Sequence, residues 1–351
     1  MSKQRAAVAG LVVIAGAASL TACGVDSGAG DDDSKTITVM SHDSWGAPDE
    51  LIEQFEEESG YTVKVQTAGD AGEVANKLIL TADSPTADVI YGIDNTYGMR
   101  VVNANVIEPY VASTATDEAK ELALPGAEDQ LTAIDYGDVC LNVDDAWFAE
   151  HDIDPPTSLD DLIDPKYKDL FVTPAASTSS PGLAFLLATI AQYGEDGWQD
   201  YWTKLMDNGA KLTSGWSDAY SVDFSGGEGK GARPIVLSYA SSPPFTIPEG
   251  ESEPTTSAVL NTCFRQIEYA GVIAGTDNAE GAEAFIDFLA DTPFQESIPD
   301  TMFMYPASGA ALPELWAEHA PLATDPLSVD PKEIEANRDT WLKEWADVTA
   351  G

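Results

Sequence analysis

Basic residues are scarce in this chain. Its 351 residues carry 17 Lys and Arg against 60 Asp and Glu, a formal net charge of −43. Phosphate backbones are held by clustered Lys and Arg, so this balance excludes nucleic acid as a partner and argues against adsorption to anionic lipid head groups. Histidine is rarer still. His42, His151 and His319 are the only three, and they are scattered without the spacing of a metal cluster. The known catalytic signatures are missing too: there is no GxSxG elbow, no HExxH, no P-loop and no dinucleotide GxGxxG. Cys140 and Cys263 lie in apolar, strand-like runs with no base nearby, a poor setting for a nucleophile. A binding protein without catalytic residues, cofactor or metal is the expectation. A surface hydrolase is the remote alternative, with Ser179 or Ser241 as its plausible nucleophiles, neither of which has a histidine within evident reach.

Enough is present to build cores. Hydrophobic residues make up 44% and aromatic residues 9% of the chain, which excludes global disorder, and the length suggests about two domains. The acid excess runs along the whole chain. It reads as a solvated surface that keeps a secreted protein soluble, with a draw for cationic ligands as the alternative.

The first residues read as a targeting segment. Lys3 and Arg5 precede the apolar run from Ala6 to Leu20, which is too short to span a bilayer comfortably. Leu20-Thr21-Ala22-Cys23-Gly24 has the form of a bacterial lipobox, with residues 1–22 as signal and Cys23 as the lipidated residue. Residues 23–36 contain a Gly-, Ser- and Asp-rich stretch that reads as a flexible tether. The expectation is an extracytoplasmic protein held to the outer face of the membrane by lipid alone. Without Cys23 an even pair of cysteines remains, compatible with one disulfide or with two buried thiols.

Strand and helix patterns then alternate. Thr36–Met40, Tyr61–Gln66 and Ala87–Tyr91 read as strands, with helices over Pro48–Glu58 and Glu73–Leu80. A second series follows Asp135-Tyr136-Gly137. It has strands at Val139–Val143, Phe171–Thr173 and Pro234–Tyr239, and a capped short helix within Pro155–Asp169. An apolar helix spans Gly182–Tyr193 and another helix Trp198–Met206. A long strand-like run covers Ser257–Ile273, followed by helices over Gly281–Leu289 and Pro331–Val348. The rhythm predicts an α/β fold.

Three loops stand out. Ser177-Thr178-Ser179-Ser180-Pro181-Gly182 opens the apolar helix with hydroxyls and a proline, an N-terminus that attracts anions or is an ordinary cap. Ser214-Gly215-Trp216-Ser217-Asp218-Ala219-Tyr220 puts two aromatic rings on a Gly-containing turn, suited to stacking on a flat cation or to core packing. Ser238 to Phe245 leaves the end of an apolar strand, where open α/β sheets bind ligands. Their co-occurrence favours a binding cleft.

With these residues the sequence resembles the thiamine-binding proteins that feed ABC importers, within the class of two-lobed solute-binding proteins that includes ferric-iron and polyamine binders. The resemblance rests on VMSHDSW (39–45), ADVIYGIDN (87–95), IDYGDVCLNVD (134–144), TSSPGLAFLL (178–187), SGWSDAY (214–220), VLSYASSP (236–243) and IPDTMFMYP (298–306). It implies a type II periplasmic-binding-protein fold: two α/β lobes, each a mixed sheet flanked by helices, joined by two crossing strands and closing over the ligand. Residues 37–137 with 265–310 would form one lobe and 138–264 the other, and the helical segment 311–351 would dock on both. The resemblance places Asp70 near the ligand, Ser179 and Ser180 at a phosphate end, Trp216 against the ring system, and Tyr239, Ala240, Ser241 and Ser242 along the wall. It places His42, Phe245, Phe303 and Tyr305 as aromatic cover. A Tyr is usual where His42 and Phe245 stand, and a Trp where Phe303 stands; stacking survives these changes, while hydrogen bonds from those rings do not.

Asp43, Asp70 and Asp94 suit the permanent cation of thiamine. A single Tyr239 followed by Ala240 and two serines speaks against iron, whose binders use a tyrosine pair. The expected ligand is thiamine or one of its phosphates, and another small cationic or phosphorylated solute, or ferric iron, remains the alternative. The resemblance also places Cys140 and Cys263 on the two crossing strands, where a disulfide becomes possible. The implied partners are ABC permease subunits, and the implied state is a monomer.

Overall fold

The computed structural model describes residues 35–350. The signal segment, Cys23 and the tether as far as Ser34 lie outside the described residues. In chain order the elements are β1 (Thr36–Ser41), α1 (Asp49–Ser59), β2 (Thr62–Thr67), α2 (Ala71–Leu80), β3 (Val89–Asp94), α3 (Gly98–Asn103) and β4 (Ile107–Glu108). Then come α4 (Asp117–Glu121), β5 (Thr132–Asp144), α5 (Asp145–His151), β6 (Phe171–Pro174), α6 (Ser180–Tyr193), α7 (Trp198–Asp207), β7 (Lys211–Thr213) and β8 (Ile235–Tyr239). The last are β9 (Thr256–Ile273), α8 (Ala279–Ala290), α9 (Thr292–Thr301), β10 (Tyr305–Pro306), α10 (Glu314–His319) and α11 (Pro331–Thr349).

The strand order is β2-β1-β3-β9-β5-β8-β6-β7. Parallel pairs β1–β2 and β1–β3 form one end, and parallel pairs β6–β7 and β6–β8 the other. Between them β5 and β9 run antiparallel through both halves. Their first ladder pairs Thr132–Val139 with Phe264–Ala270, and their second pairs Leu141–Asp144 with Thr256–Val259. The register breaks between Val139 and Leu141, so two α/β lobes hang from one pair of crossing strands. Cys140 and Cys263 lie at this break, joined by a disulfide that closes a separation of 123 residues.

Composition explains how each lobe is filled. β3 reads VIYGID and is buried along its whole length, as a central strand with covered faces must be. α6 is apolar all round, and every residue from Ser180 to Ile190 is buried. α11 has the opposite character: Ile334, Arg338, Trp341 and Trp345 form one buried stripe on a polar helix. Trp345 meets Trp202 of α7 edge-on at 5.6 Å, and Arg338 lies over Tyr97 at 5.9 Å, so this helix touches both lobes.

Two expectations need correction. The segment 155–169 holds two 3-10 turns, Asp160–Ile163 and Pro165–Tyr167, in place of a short helix. Pro165 lacks an N–H and pushes Asp164 to an extended ψ of 132°, which stops α-helical propagation. The strand at Val139–Val143 starts seven residues earlier, at Thr132. Asp135 and Asp138 make this stretch read as the boundary before the second series, yet both are buried inside: Asp138 accepts two hydrogen bonds from the Arg265 guanidinium at 2.7 and 2.8 Å, and Asp135 accepts one from Tyr91 at 2.5 Å.

Candidate ligand-binding cleft

A cavity of about 330 Å³ lies between the lobes, within the range of small-molecule sites. Its lining comes from strand ends and helix starts. His42 follows β1, Tyr239 ends β8, Asp70 caps α2, and Ser180 opens α6. Strand carboxyl ends and helix N-termini meet there because parallel βαβ units point both the same way.

The lobes touch across the cavity. The Trp216 amide donates to Asp70 Oδ2 at 3.1 Å, and the Gly72 amide donates to the Thr178 carbonyl at 3.1 Å. Ser241 Oγ donates to the Phe303 carbonyl at 2.6 Å, and Phe245 and Phe303 meet edge-on at 4.1 Å between ring centres. Gly72 is required at its contact, since a Cβ there would lie 2.6 Å from the Thr178 carbonyl oxygen. Phe303 has a φ of 59°, a left-handed conformation that costs a bulky residue energy and that holds its ring at the mouth.

Aromatic rings form one wall. Trp216 stacks on Tyr220 at 5.0 Å with 12° between planes, and its Nε1 donates to Ser238 Oγ at 3.0 Å. Tyr220 begins its contacts from a turn of π-helix, Asp218–Asp223, a rare form enriched at functional sites. Burial raises the Tyr220 hydroxyl to a pKa of about 12, so it stays neutral. Tyr239 lies edge-on to Trp216 at 6.4 Å.

The floor is a chain of polar contacts. Tyr239 OH donates to Gln266 Oε1 at 3.2 Å, Gln266 Nε2 donates to Glu268 Oε1 at 2.8 Å, and Glu268 Oε2 lies 3.2 Å from His42 Nε2. His42 Nδ1 lies 3.2 Å from the Ser44 amide nitrogen, which leaves Nε2 facing the carboxylate. Burial lowers the imidazole pKa, but the carboxylates of Glu268, Asp70 and Asp135 outweigh it and raise it to about 9. At neutral pH the ring is then an imidazolium paired with the Glu268 carboxylate. Gly92, at φ 82°, makes room for this ring: a Cβ there would sit 2.1 Å from His42 Cδ2. Behind the floor, burial and then Glu268 raise the Asp135 carboxyl well above its ordinary range.

Of the residues expected at the site, His42, Asp43, Asp70, Ser180, Trp216, Tyr239, Ser242, Phe245 and Phe303 line the cavity. Five others do not. Ser179 is buried and its Oγ accepts from the Gly182 amide at 3.4 Å, as the cap of α6. Ala240 and Ser241 turn away from the lining, Ala240 N–H donating to the Asp138 carbonyl at 2.8 Å and Ser241 holding the Phe303 carbonyl. Asp94 is buried and accepts from Thr96 N–H, Thr96 Oγ1 and Tyr97 N–H at 3.0, 2.7 and 3.2 Å. Tyr305 stacks on Tyr136 at 5.4 Å and donates to the Ala320 carbonyl. Ser179 and Ser241 thus both have their hydroxyls engaged in backbone contacts. The sequence reading missed Glu268, Tyr91, Glu73, Met302 and Met304. A lone Glu inside the run Ile267 to Ile273 was the signal available for Glu268.

The lining holds five carboxylates, Asp43, Asp70, Glu73, Asp218 and Glu268, and no Lys or Arg. Among the described residues no cluster of three or more His, Cys, Asp and Glu side chains could hold a metal ion.

Residues 84–325 match the model of a bacterial extracellular solute-binding protein family. The chain belongs to that family. This solute-binding protein is 29% identical over 316 residues to the thiamine-binding periplasmic protein of Salmonella typhimurium, covering 88% of this chain and 92% of that one. A solved periplasmic thiamin binding protein superposes with a TM-score of 0.78 at 27% identity, over 90% of this chain and 96% of the other. The ferric binding protein of Campylobacter jejuni, at 16% identity and a TM-score of 0.70 over 89% and 99% of the two chains, shares the two-lobed type II fold. Solute binding outside the cytoplasm is therefore the role of this family member.

Proposed function

We propose that the protein captures thiamine by closure of its lobes and delivers it to an ABC importer, tethered outside the cell membrane through a lipid on Cys23. The observation that carries this reading is the lining: the aromatic rings of Trp216, Tyr220, Tyr239, Phe245 and Phe303 share it with five carboxylates, against one histidine, His42, and no Lys or Arg. Thiamine is flat, aromatic and permanently cationic. Ring faces and carboxylates attract such a cation, more strongly in a cavity shielded from water. The similarity to thiamine-binding periplasmic proteins over most of the chain supports the same ligand.

Unphosphorylated thiamine is favoured over its esters. A phosphate entering this lining would meet like charge, and Ser179 already caps α6. Ser180 and the first turn of α6 supply the remaining donors. Iron is disfavoured because Tyr239 is followed by Ala240 and two serines in place of the second tyrosine that iron binders use.

Calorimetry with thiamine, its monophosphate and its diphosphate tests this. The expected result is a dissociation constant below about 1 µM for thiamine and weaker binding of the diphosphate. No heat and no melting shift with any of the three would overturn the reading. Cys23→Ala, which leaves the described fold untouched, should release the protein from the membrane fraction at unchanged affinity; retention of this variant would refute the lipid anchor.

A further inference from the structure

We infer that Ser241 is a positioning residue of the cleft: its buried hydroxyl holds the Phe303 carbonyl and so keeps the Phe303 ring over the mouth, where the ring slows release of the ligand. This rests on the reading that the cleft binds thiamine and names a residue outside the lining that governs how long the ligand stays.

Phe303 stands where the backbone resists a bulky side chain. α9 ends with Met302 as its C-cap, whose N–H donates to the Ile298 carbonyl at 2.9 Å. Phe303 is the next residue, the position at which helices commonly turn left-handed and at which glycine is usual. It takes that turn at φ 59° with a full aromatic side chain, so the conformation is held by contacts and not by the residue's own preference. The outcome is a ring in the cavity lining that is still 40% exposed, at the mouth.

Those contacts come from one loop of the other lobe. Ser241 follows β8 and is fully buried, and its Oγ donates to the Phe303 carbonyl at 2.6 Å. Among the described residues this hydroxyl is the only hydrogen-bond donor to that carbonyl. Further along the same loop, Phe245 stands on the 3-10 turn Pro243–Thr246 and meets the Phe303 ring edge-on at 4.1 Å. Trp316 backs Phe245 at 6.0 Å. The loop thus grips Phe303 at its carbonyl and at its ring. Ser241 does not line the cavity, so it acts on a ligand only through Phe303. Without the hydroxyl the carbonyl loses its partner, and the backbone is free to relax to a negative φ that swings the ring off the mouth. A bound ligand then leaves by a wider exit.

The test is the rate of thiamine release, followed by stopped-flow fluorescence with Trp216 in the lining as reporter. Ser241→Ala should raise the off-rate about fivefold and leave the on-rate within about twofold, the size expected for one lost neutral hydrogen bond that acts after capture. Phe303→Gly removes the ring and accepts the left-handed turn without strain. In that background Ser241→Ala should change the off-rate by less than about twofold, since the ring it positions is gone. An off-rate unchanged by Ser241→Ala, or an effect of that size that persists without the Phe303 ring, overturns the inference. Should Ser241→Ala fail to fold, Ser241→Thr and Ser241→Val decide, being alike in volume and different in the hydroxyl: the Val variant should release thiamine faster, and equal off-rates overturn the inference. A wild-type protein that binds no thiamine at all overturns the proposed function and this inference with it.

Discussion

Asp70→Ser separates helix capping from closure of the cleft. Asp70 has two tasks, on two oxygens. Oδ1 accepts from the Ala71 amide at 2.7 Å within the α2 cap, and Oδ2 accepts from the Trp216 amide at 3.1 Å, 146 residues away in the other lobe. Serine is a good N-cap, so the first task survives. Its side chain is too short for the second. A hydrogen bond to a charged group contributes roughly 1.5–3 kcal/mol. Asp70 is half-exposed, which reduces this to about 1–2 kcal/mol. That energy exists only when the lobes touch, so its loss shifts the equilibrium toward the open form and appears in ligand affinity. The expected loss is about fivefold to thirtyfold in the dissociation constant for thiamine, with little change in the ligand-free melting temperature. Asp70→Ala should show the same affinity loss and a further destabilisation of about 1 kcal/mol from the missing cap. Calorimetry and thermal melts on both variants measure the two effects. If Asp70→Ser binds as tightly as wild type, the contact to Trp216 does not hold the lobes together and the reasoning fails.

Three more outcomes are expected. Trp216→Ala removes the ring that stacks on Tyr220 and should weaken every form of thiamine by about tenfold or more; unchanged titrations would place the ligand elsewhere. Replacing both Cys140 and Cys263 by serine opens a link across 123 residues and should lower stability by roughly 2–4 kcal/mol, read by denaturant melts with and without reductant. Stability should fall as pH rises from about 4 to about 7 and then level off, because burial raises the Asp94 carboxyl to about 7. The folded state then binds more protons than the unfolded one between about pH 4 and 7, so Asp94 stabilises below that window and ceases to as pH rises through it. Asp94→Asn should flatten this slope, and a melting temperature independent of pH from 5 to 8 in the wild type would contradict it.

The sequence by itself determined the elements whose burial follows from local pattern. β3, α6 and the eighteen-residue β9 were legible as apolar runs of the right length and composition. The segment Ser238–Phe245 stood out because it leaves an apolar strand end, and Ser214–Tyr220 because it puts two aromatic rings on a Gly-containing turn. Tertiary structure alone decided which atoms within those loops face the cavity. Ser180 lines it and its neighbour Ser179 caps a helix; Tyr239 and Ser242 line it and Ala240 and Ser241 do not. Consecutive side chains leave a strand end or a helix cap in different directions, and one residue of rotation moves a group from cleft to core. Glu268 shows the same limit at long range. A lone Glu in an apolar run marks it locally, but its pairing with His42, 226 residues away, follows only from the strand packing that brings both beneath one cavity.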